Sequence, residues 1–251
     1  MSKGAVYPDL EGRVVIVTGG ASGIGEAIVR ALLRQKARVG FIDIQTKRGH
    51  ELAAEIGPLA HFAQADVTDI EALREAISSI RETFGPIGVL INNAAHDDRH
   101  ATETVTPEYF DNRIAINLKH QFFAAQAVLP DMVAGGGGVF VNFASTSWMK
   151  GVGGMAIYTA SKSAVLGLTR SLARDYGPKN VRVNTLAPGW TLTERQKTHW
   201  VTPEAEAKMI DAQCLKRWLM PDEVARVTVF LASEEASACT SQQFVVDGGW
   251  T

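Results

Sequence analysis

The sequence predicts an α/β fold in one domain: a doubly wound parallel sheet with helices on both faces. Three observations lead there. Short β-branched runs alternate with long helical stretches from end to end. The first of those runs enters a glycine-rich turn. No linker, repeat or low-complexity tract divides the 251 residues. Alternation of this kind requires right-handed crossovers and a parallel sheet covered on both sides.

Taken in order, Val14–Thr18 (VVIVT), Arg38–Asp43 (RVGFID), Val89–Asn92 (VLIN), 139–143 (VFVNF) and 181–186 (VRVNTL) read as buried strands, with a shorter candidate at 244–246. Helical patterns fill the intervals at 23–36, 46–56, 69–84, 107–132, 156–176 and 221–231. Several carry start signals. Thr106-Pro107-Glu108 places a capping hydroxyl before Pro and an acid in the first turn, Thr202-Pro203-Glu204 repeats that order, and Pro221-Asp222-Glu223 offers Pro at the first helical position. The four glycines at 135–138 suffice for a turn before a strand.

Composition narrows the class of protein. Hydrophobic residues make up 46% of the chain, enough for a substantial core. Lys+Arg 25 against Asp+Glu 27 gives a net charge of -2, so there is no electrostatic reason to expect nucleic acid or an anionic membrane as partner. No apolar run reaches the roughly 18 residues needed to cross a bilayer. Residues 1–10 hold one Lys and no apolar stretch, which predicts no secretory leader. Cys214 and Cys239 lack metal-ligand spacing and are expected as buried, reduced side chains in a soluble cytoplasmic protein.

The first strand runs into Thr18-Gly19-Gly20-Ala21-Ser22-Gly23-Ile24-Gly25 and then a helix. Such a turn lets backbone amides approach a pyrophosphate at a helix N-terminus, where the dipole favours negative charge. The spacing is G-x-x-x-G-x-G rather than G-x-G-x-x-G. Asp43 closes the second strand, where an acid accepts hydrogen bonds from an adenosine ribose and repels a 2′-phosphate. NAD is therefore expected over NADP, although Lys47 and Arg48 lie close enough to allow some NADP tolerance. A strand-end Asp capping the next helix is the plainer alternative.

Tyr158 and Lys162 are four residues apart at the start of a helix and share one face. A neighbouring ammonium favours the phenolate of a Tyr that is otherwise a poor base. Ser145 follows the 139–143 strand, where open α/β sheets carry their ligand sites, and its hydroxyl is placed to hold a substrate oxygen. A Tyr–Lys pair alone usually marks a solvated helix face; the combination with Ser145 is far more specific.

With these motifs the chain resembles the short-chain dehydrogenases/reductases over nearly its whole length, which implies a Rossmann fold. Residues 18–25 match the family's T-G-x-x-x-G-I-G, and Asn92-Asn93-Ala94-Ala95 looks like its N-N-A-G. Asn117, Ser145, Tyr158 and Lys162 match its catalytic group. The resemblance implies Tyr158 as general base in oxidation, Lys162 lowering its pKa and binding ribose, Ser145 orienting substrate, and Asn117 supporting the proton path. It implies cofactor contacts at Gly19, Ser22, Gly23, Ile24, Gly25, Asp43, Asp66, Val67, Asn93, Ala94, Tyr158, Lys162, Pro188, Gly189, Thr191 and Thr193. The Val246-Asp247-Gly248-Gly249 ending also fits. Ala144 stands where a Ser often precedes the catalytic one, and Ser241 where Gly is frequent. A homotetramer is expected, with Trp250 near a subunit contact.

Substrate choice depends on other segments. His96-Asp97-Asp98-Arg99-His100, Ser147-Trp148, Arg195-Gln196-Lys197, Trp200-Val201-Thr202-Pro203-Glu204 and Ala212-Gln213-Cys214-Leu215 resemble the aldose 1-dehydrogenases of the same family, which oxidise pentoses or hexoses to aldonolactones. That implies a monosaccharide substrate met by Asp97, Arg99, His100, Ser145, Ser147, Trp148, Tyr158, Trp190, Arg195 and Trp200, under a lid at approximately 190–215. A pyranose needs hydrogen-bonding side chains and an aromatic face. Against this, Asp97, Asp98 and Arg99 also read as a surface ion-pair cluster, and Trp148 and Trp200 as apolar lid or interface residues. The rival activities are oxidation of another secondary alcohol or of a hydroxyacyl substrate. A catalytically idle NAD-binding protein is the rival of another class.

Overall fold

A computed structural model describes residues 4–251; the first three residues, part of the stretch read for a leader, lie outside the described residues. Seven strands form one sheet: β1 (Val14–Thr18), β2 (Arg38–Asp43), β3 (Ala60–Gln64), β4 (Val89–Asn92), β5 (Gly138–Phe143), β6 (Val181–Pro188) and β7 (Gln243–Val246). All pair in parallel, in the order β3-β2-β1-β4-β5-β6-β7. The order reverses between β1 and β4, and the crevice beyond the strand C-termini at such a switch is where open α/β sheets bind ligands.

The connecting helices are α1 (Gly23–Arg34), α2 (Thr46–Ile56), α3 (Ile70–Phe84), α4 (Pro107–Ile114), α5 (His120–Ala134), α6 (Ala156–Tyr176), α7 (Glu194–His199), α8 (Pro203–Ala212) and α9 (Pro221–Ala232). The predicted start signals act as expected: Thr106 Oγ1 accepts from Tyr109 N, and Thr202 Oγ1 from Ala205 N. Glu223 reaches back to the Met220 N–H at 2.9 Å to close the start of α9.

Successive side chains along each strand point to opposite faces of the sheet. Val15, Val17, Val89, Ile91, Val139 and Val141 pack with Ile28, Leu32, Leu52 and Val224 from α1, α2 and α9. Val14, Ile16, Leu90 and Phe140 pack on the other face with Leu73, Ile77, Ala124, Val128 and Leu172 from α3, α5 and α6. Two helical layers therefore sandwich the sheet, and both faces are dry, which is why the strands read as unbroken apolar runs.

The structure departs from the sequence reading at four places. β3 was not anticipated: Ala-His-Phe-Ala-Gln has no β-branched residue, and as the edge strand only Ala63 of it is buried. The first predicted helix stops at Arg34, two residues early, because Lys36 turns into the left-handed region. The helix expected at 107–132 is two helices joined through a π turn at Ala115–Lys119, and it runs on to Ala134. Both cysteines are free, but neither is buried as expected: Cys239 is half-buried, and Cys214 is exposed where it leaves α8, its N–H bonded to Gly249 O. No helix of the described residues is long and apolar enough to cross a membrane.

Candidate active site

The glycine turn links β1 to α1, and its geometry admits no side chain at its tightest point. A Cβ on Gly25 would lie 1.8 Å from Gly19 O, and Gly19 itself holds φ +67. Ser22 precedes α1 in extended conformation and makes no side-chain cap bond, so the N–H groups of Gly23, Ile24 and Gly25 at the positive end of the helix keep their capacity for an anion. Gly23 has φ +57, with Thr193 Cγ2 3.3 Å from its Cβ position. Asn93 ties the turn to β4: its Nδ2 donates to Thr18 O (2.9 Å) and Gly19 O (3.1 Å). Thr18 Oγ1 in turn accepts from the Asn93 and Ala94 N–H groups.

Asp43, at the C-terminal end of β2, is 7% exposed. One carboxylate oxygen accepts from Ala21 N (3.0 Å) and the other from Gln45 N (3.0 Å), so it is fixed facing the turn. Gln45 Nε2 also donates to Ser22 Oγ at 3.1 Å. Further along the crevice Asp66 Oδ1 accepts from Thr68 N and Oγ1, while Val67 is buried behind it. On the opposite side, the Pro188 carbonyl accepts from Thr146 N and Gly189 N donates to Val246 O. Thr191 Oγ1 donates to Gly189 O at 3.2 Å, and Thr193 caps α7 by accepting from Gln196 N. An uncapped helix start, an oriented acid and a crevice along the switch point suit the two ends of a nicotinamide dinucleotide.

The four predicted catalytic residues cluster beyond β4 and β5. Tyr158 and Lys162 lie one turn apart at the start of α6. Tyr158 shares a hydrogen bond with the Ser145 side chain, and Ser145 Oγ also accepts from Ser147 N at 3.1 Å. Lys162 is 1% exposed, donates to Phe143 O at 2.8 Å and lies 5.8 Å from the centroid of the Tyr158 ring. Burial pulls its pKa down to about 7. Burial, and next the Asp97 carboxylate, push the Tyr158 phenol above its usual range, while the Ser145 hydrogen bond and Arg99 pull the other way. The ammonium of Lys162, invoked from sequence to favour the phenolate, is thus not the group that acts most on the phenol here.

Asn117 sits on the π turn and is fully buried. Its Oδ1 accepts from His96 N (2.9 Å) and its Nδ2 donates to His96 O (3.1 Å) and Arg113 O (2.9 Å). The two bonds to His96 hold the loop after β4 in place, and the third ties the side chain to α4. His120, one turn along, is wholly buried with neither ring nitrogen bonded, and burial followed by the charge of Lys162 brings its pKa down to about 3.

The residues read as substrate contacts gather around this centre and bond largely to one another. Arg195 on α7 donates to Asp97 (3.3 Å) and Asp98 (2.8 Å), and Gln196 Nε2 donates to Asp97 Oδ2 (2.9 Å). Trp190 Nε1 donates to Gln196 Oε1 at 2.7 Å. Arg113 reaches Asp98 and His96 from α4. Arg99 lies over the Trp200 ring, 5.1 Å from its centroid, and His100 packs edge-on against Tyr109. His100 Nε2, Ser147 Oγ, Trp148 Nε1 and Trp200 Nε1 are buried without a partner. Gln45 and Arg113 escaped the sequence reading, and Gln196 was noted only within the Arg195-Gln196-Lys197 run and given no contact, because each acts through a partner on another element, up to 99 residues away.

A family model described as Enoyl-(Acyl carrier protein) reductase matches residues 19–251. The chain is 45% identical to the probable galactose dehydrogenase of Rhizobium meliloti (strain 1021), over 97% of this chain and 96% of that one. It is 42% identical to the D-xylose 1-dehydrogenase of Caulobacter vibrioides (strain NA1000 / CB15N), over 98% of each. The crystal structure of 3-oxoacyl-[acyl-carrier protein] reductase from Brucella melitensis ATCC 23457 superposes with a TM-score of 0.91 at 31% identity, covering 98% of this chain and 94% of that one. The chain belongs to the short-chain dehydrogenase/reductase family, as an oxidoreductase of CH–OH groups that works with a nicotinamide cofactor.

Proposed function

We propose that the protein oxidises an unphosphorylated aldose at its anomeric carbon to the aldonolactone, with NAD as hydride acceptor and Tyr158 as general base. The observation that carries the sugar reading is the set of unpartnered polar atoms on the segments that follow β4, β5 and β6 at the crevice: His100 Nε2, Ser147 Oγ, Trp148 Nε1 and Trp200 Nε1. Buried donors and acceptors without partners are costly, and a ligand rich in hydroxyls would satisfy them. The indole faces of Trp148 and Trp200 suit the C–H surface of a pyranose. The relatives named for galactose and D-xylose point the same way.

In this reading Ser145 Oγ and Tyr158 Oη grip the anomeric hydroxyl, and Tyr158 Oη takes its proton. NAD, when bound, would supply the acceptor for the hydride. Lys162 binds the ribose and passes the proton onward, with Asn117 fixing the loop that borders the path. Gly19, Gly23, Ile24 and Gly25 hold the pyrophosphate, Asp43 the adenosine ribose, Asp66 and Val67 the adenine side, and Asn93, Ala94, Pro188, Gly189, Thr191 and Thr193 the nicotinamide side. Residues 190–215 serve as a lid, latched through Arg195, Asp97 and Asp98. Trp190 supports it, and Arg99 steadies Trp200. The working assembly is a cytoplasmic homotetramer.

The test is NADH formation with D-xylose, L-arabinose, D-galactose, L-fucose and L-rhamnose, against simple secondary alcohols and a hydroxyacyl thioester. One or a few aldoses should respond, with poor activity on their C2 or C4 epimers, since a wrong epimer leaves a buried polar group unpaired at roughly 1–3 kcal/mol. Activity confined to the alcohols or the thioester would refute the sugar reading. No activity with cofactor still bound would favour a non-catalytic role.

A further inference from the structure

Helices α1 and α2 are joined by three polar rungs. Ser22, the residue before α1, meets Gln45, the residue before α2, at 3.1 Å. One turn along, Glu26 Oε1 accepts from Arg48 at 2.7 Å and also from Arg30 Nε (3.0 Å) and NH2 (2.8 Å). Furthest from the turn, Arg30 donates to both oxygens of Glu55 at 2.8 and 2.9 Å. The spacing 22, 26, 30 keeps these groups on one face of α1, and 45 and 48 share a face of α2.

The first rung borders Asp43, which accepts from Gln45 N and Nε2. It is therefore where the adenosine ribose, and any 2′-phosphate on it, would lie. A shallow depression beside it is lined by Gln45, Thr46, Lys47, Arg48 and Glu51, at the start of a helix with no side-chain cap and no acid in its first turn. Lys47 is 90% exposed. An uncapped helix start, an exposed Lys that meets Glu51 only at 3.9 Å and a nearby Arg form a setting suited to a phosphate. What withholds Arg48 from it is Glu26, which is only 20% exposed and pairs with two arginines.

We propose that Glu26 is a second determinant of cofactor choice: it engages Arg48 and so denies a 2′-phosphate its guanidinium partner. Asp43 repels the phosphate directly; Glu26 removes the group that would offset that repulsion. Arg–phosphate pairing is bidentate and charge-assisted, so releasing Arg48 changes affinity for NADP(H) and leaves NAD(H), which has no group there, unaffected. The inference rests on the reading that NAD is preferred.

The experiment is direct binding of NADPH and NADH, followed by energy transfer from tryptophan, to the wild type, Glu26→Gln, Arg48→Gln and the double variant. NADH should bind all four alike. Glu26→Gln should tighten NADPH by about 5- to 30-fold, the range set by one charge-assisted hydrogen-bonded contact. The double variant should lose that gain, and Arg48→Gln alone should match the wild type. An unchanged NADPH affinity in folded Glu26→Gln would overturn the proposal. So would a gain that survives in the double variant, since charge removal rather than Arg48 would then explain it. Should Glu26→Gln not fold, Arg48→Gln still decides: weaker NADPH binding there means that Arg48 already serves the phosphate. A wild type that binds NADPH as well as NADH would instead overturn the NAD reading, independently of Glu26.

Discussion

Replacing Lys162 should cost the enzyme its activity while stabilising the protein without cofactor at neutral pH. The side chain is 1% exposed, and its one hydrogen bond goes to Phe143 O. Burial brings its pKa from 10.5 to about 7. The unfolded chain keeps the proton up to about 10.5, so between the two values the unfolded state binds more protons and stability rises with pH. Below about pH 7 the penalty is fully present, and above about 10.5 it is gone. At about 1.4 kcal/mol per pKa unit, the gap between 10.5 and about 7 corresponds to a penalty on the order of 4–5 kcal/mol. Lys162→Met keeps the unbranched stem, does not titrate, and forfeits a bond of about 1–3 kcal/mol to Phe143 O. The variant should therefore exceed the wild type by about 1–4 kcal/mol near pH 6 and fall below it by up to about 2 kcal/mol near pH 10, where a penalty of roughly 1 kcal/mol still remains. Urea unfolding of both proteins across that range reads the difference, and titrations common to the two cancel. Parallel stability profiles would refute the reasoning. Turnover and NAD affinity should both fall in the same variant, because Lys162 is proposed both to hold the ribose and to pass the proton.

Tyr158→Phe should leave NADH affinity within a factor of about two and lower turnover by about 10² to 10⁴, the usual contribution of a general acid–base group; ordinary activity in that variant would remove Tyr158 from the mechanism. Asp43→Ala should narrow the preference for NAD, read as the ratio of kcat/KM values for the two cofactors. Arg195→Ala breaks the bonds to Asp97 and Asp98, which are partly exposed pairs worth about 0.2–1 kcal/mol in stability, so the Tm should move little while KM for the sugar rises. Ser241 holds φ +62 with its N–H bonded to Val183 O. Ser241→Gly relieves a left-handed strain of about 1–2 kcal/mol, less about 0.5–1 for glycine's freer unfolded chain, so the Tm should rise by roughly 2 °C.

How far the sequence reaches depends on whether a residue acts locally or through distant partners. The strands of both buried layers were legible because burial on two faces demands unbroken apolar runs, and β3 was not, because an edge strand is free of that demand. Residues 18–25 announce the turn for a steric reason: only a glycine at position 25 clears Gly19 O, so the chemistry of the turn is written in its composition. Tyr158, Lys162 and Ser145 were legible in the same way, as residue types at a spacing that one helix and one strand end turn into a cluster. The ion-pair reading of Asp97 and Asp98 and the ligand reading of the same loop looked like rivals in the sequence. In the fold the two readings are compatible, since Asp97, whose charge acts on the Tyr158 phenol, is also a carboxylate that Arg195 and Gln196 clasp. That clasp continues through Arg113 and His96 to the buried amide of Asn117, so the segment proposed as a lid is joined by hydrogen bonds to a residue of the proposed catalytic group. Each link spans between 15 and 99 positions, and no helical or strand periodicity relates residues so far apart. Only the packing of α4, α7 and the loop after β4 around one crevice makes them neighbours, so the reach of a motif ends where function depends on which side chains the closed fold brings face to face.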